Sequence, residues 1–214
     1  MPYLQLPEAM KGHIGHFVSV CGTDGADTLI DDRAAAPFRV PTTTFADARA
    51  RIGSYKNRLL LVENAVPADL VSAVNQGLQA CVDHLSCDSD SFSLPTLRKW
   101  GKMMTDSKNK KGWLNLFKDG RGLYSTLRSA FEDIELNIGG GGLRGLYADF
   151  LLEAVDVTGN AKLREVAQQY RDLAAMWTRL AESALPDDVE PLRETKALLC
   201  ERHAVMMQGG DSWQ

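Results

Sequence analysis

The chain has 214 residues, 44% of them hydrophobic and 24% charged, with a formal net charge of −4 and a pI near 5.6. That composition suits one globular domain or two small ones with a sizeable core, and its acidic balance argues against a nucleic-acid-binding face. No run of about 18 apolar residues is present, so no membrane-spanning helix is expected.

In chain order, "MPYLQLPEAMKGH" lacks a charged segment followed by an apolar run and does not read as a signal peptide. The four cysteines, Cys21, Cys81, Cys87 and Cys200, are few and unevenly spaced, which suits free thiols in a reducing cytoplasm. "HFVSV", "DTLID" and "RLLLVE" have strand composition, and Thr44 is a suitable N-cap for a short helix from Phe45 to Ile52. "NAVPADL" marks a boundary, with Pro67 fitted to a first helical turn. The expected fold is α+β: a small antiparallel β subdomain over 1–65 and a helical domain over 66–214.

Beyond the boundary, "PADLVSAVNQGLQACVDHL" carries Leu70, Val71, Val74, Leu78, Cys81, Val82 and Leu85 on one helical stripe. "SLPTLRKWGKMM" is a shorter helix, and "RGLYSTLRSAFEDIEL" aligns Leu123, Leu127, Phe131 and Ile134. Then come "GLRGLYADFLLEAVDV", "NAKLREVAQQYRDLAAMWTRLAESAL" and "DDVEPLRETKALLCERHAVMM". The short "PDD" link predicts that the last two form an antiparallel pair, and "QGGDSWQ" is expected to fray.

The chemistry-bearing stretch is "GHIGHFVSVCGTDGADTLIDDRA", Gly12–Ala34. A hairpin turn centred on Asp24-Gly25 sets His16 opposite Asp32 or Arg33, with Cβ atoms about 5 Å apart. An imidazole whose ring N–H is held by a carboxylate is oriented to act as a general base on a thiol or hydroxyl. His13 is a rival with no evident partner. Cys21 and Ser19 have the wrong strand parity to meet His16, and no other cysteine opens a helix after a glycine-rich loop.

"GHFVSVCGTDGADTLIDDRA" resembles the His-to-Asp half of papain-like cysteine enzymes of the double-glycine leader peptidase type. "LRKWGKMMTDSKNKKGWLNLF", "GRGLYSTLRSAFEDIE", "GGGGLRGLYADFLLEA" and "LPDDVEPLRETKALL" resemble the helical domain that follows such a half in proteins similar to the butirosin-biosynthesis acyltransferase. The resemblance implies that His16 is the base and Asp32 its orienting carboxylate, with Asp31 as fallback. In those relatives the cysteine nucleophile precedes this hairpin; here no cysteine precedes His16. Three explanations follow: a fragment, a split enzyme whose partner chain brings the cysteine, or a chain that has lost the chemistry. The exposed strand edges of such a remnant likewise call for a missing N-terminal segment, a partner chain or a homodimer. The implied reaction passes an acyl group from a carrier-protein thioester to an amine, with no cofactor. A non-catalytic binding or scaffold protein on the same fold is the alternative.

"CVDHLSC" spaces Cys81, His84 and Cys87 for one helical face, but a structural zinc wants a fourth ligand, and "CERH" has the same deficit, so no metal is expected. "NIGGGGLRGLYADF" reads as a helix C-cap and flexible connection, or as a loop lining a substrate or pantetheine channel with Arg144 and Tyr147 as the contacting side chains. Trp100, Trp113, Phe117 and Tyr124 are expected mostly in core packing. The alternative is that they form, with Lys99, Lys102, Lys108, Lys110 and Lys111, a docking face for an acidic acyl carrier protein.

Overall fold

A computed structural model describes residues 15–51, 53, 57–61, 63, 69–89, 93–137 and 139–212. The fold is α+β and dominated by helices. The contact pattern divides the chain into two units: residues up to 65 with those from 197 onward, and residues 66–196.

The first unit is built on a three-stranded antiparallel sheet, β1 (Ser19–Asp24), β2 (Asp27–Asp31) and β3 (Phe38–Pro41), in the order β1-β2-β3. Alternation drives it. Thr28 and Ile30 of β2 and Phe38 and Val40 of β3 are buried while their neighbours are not. Ile30, Phe38 and Val40 form the core, joined by Val18, Phe45 and the later Met206 and Met207. Helix α1 (Thr42–Arg51) begins two residues before the expected Thr44 cap, where Thr42 shares a 3.0 Å hydroxyl hydrogen bond with Thr28.

Two strand expectations need correction. "RLLLVE" forms no strand among its described residues, and Leu59, Leu60 and Leu61 are exposed. The third strand is instead Phe38–Pro41, because Phe38 and Val40 have a buried face to enter and the leucines do not. The turn is also displaced. Asp24 pairs with Asp27, so Gly25-Ala26 is the loop, and the register shifts again at a bulge between Val20 and Gly22 that contains Cys21.

After α8 (Glu190–Met206), the described residues 207–212 are tied to the sheet rather than frayed. Ala35 N–H donates to Met207 O at 2.7 Å, Arg39 N–H to Gly210 O at 3.0 Å and Gly210 N–H to Pro37 O at 3.0 Å, with a parallel bridge between Phe38 and Gly210. This covers the free side of β3. Gly209 has φ 76°, and a Cβ there would collide with the carbonyl of Ala36. These bonds and the packing of partly buried Met206 and Met207 against the Ile30, Phe38 and Val40 core explain why residues from 197 group with the sheet.

The second unit contains α2 (Leu70–Ser86), α3 (Leu94–Thr105), α4 (Trp113–Leu116), α5 (Leu123–Phe131), α6 (Arg144–Thr158), α7 (Leu163–Ala184) and the first turns of α8. Asp69 caps α2 by accepting from Ser72 N at 3.3 Å, and Pro67 lies outside the described residues. The α2 stripe is only partly used: Leu78 packs on the core, while Leu70, Val71 and Val82 are exposed. On α5 the expected face holds: Phe131 and Ile134 are buried and Leu123 and Leu127 half-buried. The helix widens into a π-type stretch at Glu132–Leu136, where buried Glu132 is held by Arg128 at 3.0 Å.

The extensive helix pairing is α6 with α7, through Ala148, Leu151 and Ala167, and not the expected α7 with α8. Small residues let those two axes approach. The link from α7 to α8 is electrostatic: Lys196 Nζ donates to Glu182 Oε2 at 2.6 Å and to Asp187 Oδ1 at 2.7 Å. Burial alone would lower the pKa of Lys196; the two carboxylates outweigh it and raise it.

Candidate functional site

Two places hold the residues that the sequence singles out. In the sheet unit, His16 Nε2 and Asp32 Oδ2 are 2.7 Å apart. His16 lies three residues before β1 and Asp32 one residue after β2, so the pair meets beyond the ladder rather than across it. The strict arithmetic of facing residues therefore misplaces the contact's origin: the turn is shifted, the bulge takes part of the shift back, and irregular chain at both ends closes the gap. Asp31 pairs with Ser19 in the ladder and is exposed. His13 lies outside the described residues.

The carboxylate is the more protected partner, with 10% of its side chain exposed against 31% for the imidazole. Arg33 stands on its other oxygen, Nε to Oδ1 at 3.9 Å, at a residue with φ 65° that turns the chain away from β2. Since a carboxylate accepts, Nε2–H is the donor in the pair. That tautomer leaves Nδ1 with a lone pair able to take a proton. Near Arg33, burial lowers the pKa of His203, and the charges of Arg33 and Arg202 add to the shift.

No thiol or hydroxyl is hydrogen-bonded to His16 among the described residues. Cys21, the bulge residue, donates weakly to Leu29 O at 3.5 Å, and Cys87 Sγ–H donates to His84 O at 3.0 Å. All four cysteines are free and exposed. Among the described residues no group of three His, Cys, Asp or Glu is placed to hold a metal ion, nor is any helix long and apolar enough to cross a membrane.

The second place is a pocket of about 440 Å³ in the helical unit, lined by Cys81 and Leu85 of α2, Leu143, Arg144 and Tyr147 at the start of α6, and Tyr170 of α7. Both residues expected to contact substrate line it. The loop that leads in is more than a flexible link: Gly139 to Leu143 all have positive φ. Gly142 suits its left-handed conformation, φ 59°, and a Cβ there would push on the flexible end of Arg144. Arg144 donates to Gly142 O and lies over the Trp177 ring, 4.4 Å from its centroid. Burial lowers its pKa. The Tyr147 phenol is pushed up to about 12, first by burial and then by the neighbouring Cys81 and Tyr170. The rings of Tyr147 and Tyr170 are 4.6 Å apart at 53°.

Trp177 and Tyr170 gave no separate signal in a long amphipathic helix. Trp177 stacks on Trp100 at 6.4 Å, and Trp100, Trp113 and Phe117 continue the aromatic series by edge-on contacts. Lys99, Lys102, Lys108, Lys110 and Lys111 are exposed. The turn that bears the last three is ordered by Asp106, which accepts from Lys108 N at 2.9 Å and Asn109 N at 3.2 Å.

Fold and sites together define a small α+β protein with a histidine–carboxylate pair on its sheet and a pocket among its helices. The chain belongs to the family described as Domain of unknown function (DUF4872), whose match covers residues 43–198. That span includes Arg144 and Tyr147 and excludes His16 and Asp32. No curated protein and no solved structure matches the chain.

Proposed function

We propose that this chain is the base-bearing part of a cysteine-dependent acyltransferase similar to the papain-like enzyme of butirosin biosynthesis. In this reading it moves an acyl group from a carrier-protein thioester to an amine. The observation that carries the reading is the 2.7 Å contact between His16 Nε2 and Asp32 Oδ2, with the imidazole partly open to solvent. Asp32 fixes the tautomer; His16 Nδ1 takes the proton of a cysteine thiol brought by a segment or chain beyond these 214 residues. The thiolate attacks the thioester carbonyl, a C–S bond forms to the enzyme, and the carrier thiol leaves with a proton from His16. The amine then attacks the acyl-enzyme, the C–N bond forms, and the enzyme thiol is released with its proton. Arg144 and Tyr147 are the substrate-side residues of this reading. The exposed lysines from Lys99 to Lys111 suit an acidic carrier protein, and four unpaired thiols suit the cytoplasm.

A non-catalytic binding or scaffold role is favoured by a different observation: among the described residues nothing nucleophilic is hydrogen-bonded to His16. The experiment that separates the two isolates the native complex, identifies what accompanies the chain by intact mass, and follows acyl transfer from a carrier thioester to an amine. A co-purifying thiol-bearing segment and a rate lowered about 10²- to 10⁴-fold by His16→Ala support transfer. An unchanged rate in His16→Ala, or no transfer by the native complex, favours the binding role.

A further inference from the structure

The pocket in the helical unit contains an imbalance. Its walls are largely apolar, from Leu85, Leu143 and the rings of Tyr147 and Tyr170, with Cys81 and His84 on the α2 side, and a half-buried guanidinium stands in the lining. Cations taken fully out of water are ordinarily matched by a carboxylate, and a half-buried one keeps only part of its hydration. Arg144 has no acidic side chain within ion-pair distance among the described residues; its partners are the Gly142 carbonyl and the Trp177 ring. Those two contacts hold the group in place and leave most of its five N–H donors unused. A Cβ at Gly142 would move the guanidinium from this position. The chain thus accommodates an unneutralised positive charge at some cost, in a cavity whose size falls in the range of small-molecule sites.

We propose that this pocket binds a small apolar monocarboxylate, its carboxylate on Arg144 and its hydrocarbon or aromatic body against Leu85, Leu143, Tyr147 and Tyr170. One cation matches one negative charge. A phosphate dianion would place a second charge against largely apolar walls. A planar guanidinium meets a carboxylate in a two-bond fork, and stacking on Trp177 sets the plane of that fork. Tyr147, whose phenol stays protonated far into alkaline pH, adds a neutral donor rather than a competing anion. The inference shares Arg144 and Tyr147 with the acyl-transfer reading but does not need that reading: it concerns residues 66–196 and is read by equilibrium binding, so either can fail without the other.

The test titrates the full chain with octanoate and phenylacetate, and with octanol as the uncharged counterpart of octanoate, by calorimetry and by tryptophan fluorescence, since Trp177 lies beneath the anchor. Saturable one-to-one binding of at least one acid is expected, with octanol about ten- to hundredfold weaker than octanoate. Arg144→Gln should abolish the preference for acid over alcohol. Leu85→Trp, which fills the cavity and leaves Arg144 in place, should weaken every probe and guards against misfolding of the arginine variant. Octanol binding as tightly as octanoate, wild-type octanoate affinity in either variant, or no saturable binding of either acid would overturn the proposal.

Discussion

The two units differ in how their sites are made. In the sheet unit, residues distant in sequence are drawn together by backbone pairing, and the site is a polar pair at the surface: His16 and Asp32 come from the irregular ends of two strands. In the helical unit, a local run of positive-φ residues enters α6 and sets Arg144 and Tyr147 against α2 and α7, and the site is apolar with one charge. The first arrangement suits the proposed proton transfer and the second the proposed binding of a small molecule. A proton-handling pair works at a surface because the reacting group must arrive from outside, whereas recognition of a small molecule needs enclosure.

The sharpest way to break this contrast is to remove the sheet's core. Phe38→Ala should cost about 3–5 kcal/mol, and hydrogen exchange should localise the loss to β2, β3 and Met207–Gly210, leaving α6 and α7 protected. Gly209→Ala should cost about 2–4 kcal/mol through the clash with Ala36 and its positive φ, again read as lost protection on β3. If α6 and α7 lose protection equally in both, the division into two units fails.

A smaller effect sharpens the helical side. Tyr147 keeps its proton to about 12 in the folded chain, while an unfolded tyrosine releases it near 10. The stability it contributes is fully present below pH 10 and is lost as pH rises from 10 toward 12. Tyr147→Phe should flatten that part of the stability profile, measured by urea unfolding across the range. The smallest effect belongs to Lys196→Met, which removes the tie from α8 to Glu182 and Asp187. About 1 kcal/mol or less is expected, falling further in high salt.

Sequence periodicity carried the helices well where one face had a clear neighbour, as on α5, and less well on α2, where Leu70, Val71 and Val82 match the pattern without being covered. Strand composition misled at "RLLLVE" because strand formation depends on a neighbour, and it passed over Phe38–Pro41, whose alternating Phe38 and Val40 were the missed signal. His16 and Asp32 were legible as a pair although the register behind them was not; a bulge leaves no mark in residue type. Arg144 and Tyr147 were legible from the glycine run before them. Trp177 and the positive φ of Leu143 were not, since they follow from how α7 and the loop pack.

The bonds from Ala35, Pro37 and Arg39 to Met207 and Gly210 span roughly 170 residues of chain. Residues 66–196 leave the ribosome before Met207–Gly210 do, so one side of β3 lacks these partners until the helical unit has been made. Order of synthesis and order of completion therefore differ: β1 to β3 precede the helices in the chain, but the last backbone partners of β3 follow them, and a message that stopped after residue 196 would yield the helices beside a β3 without those partners.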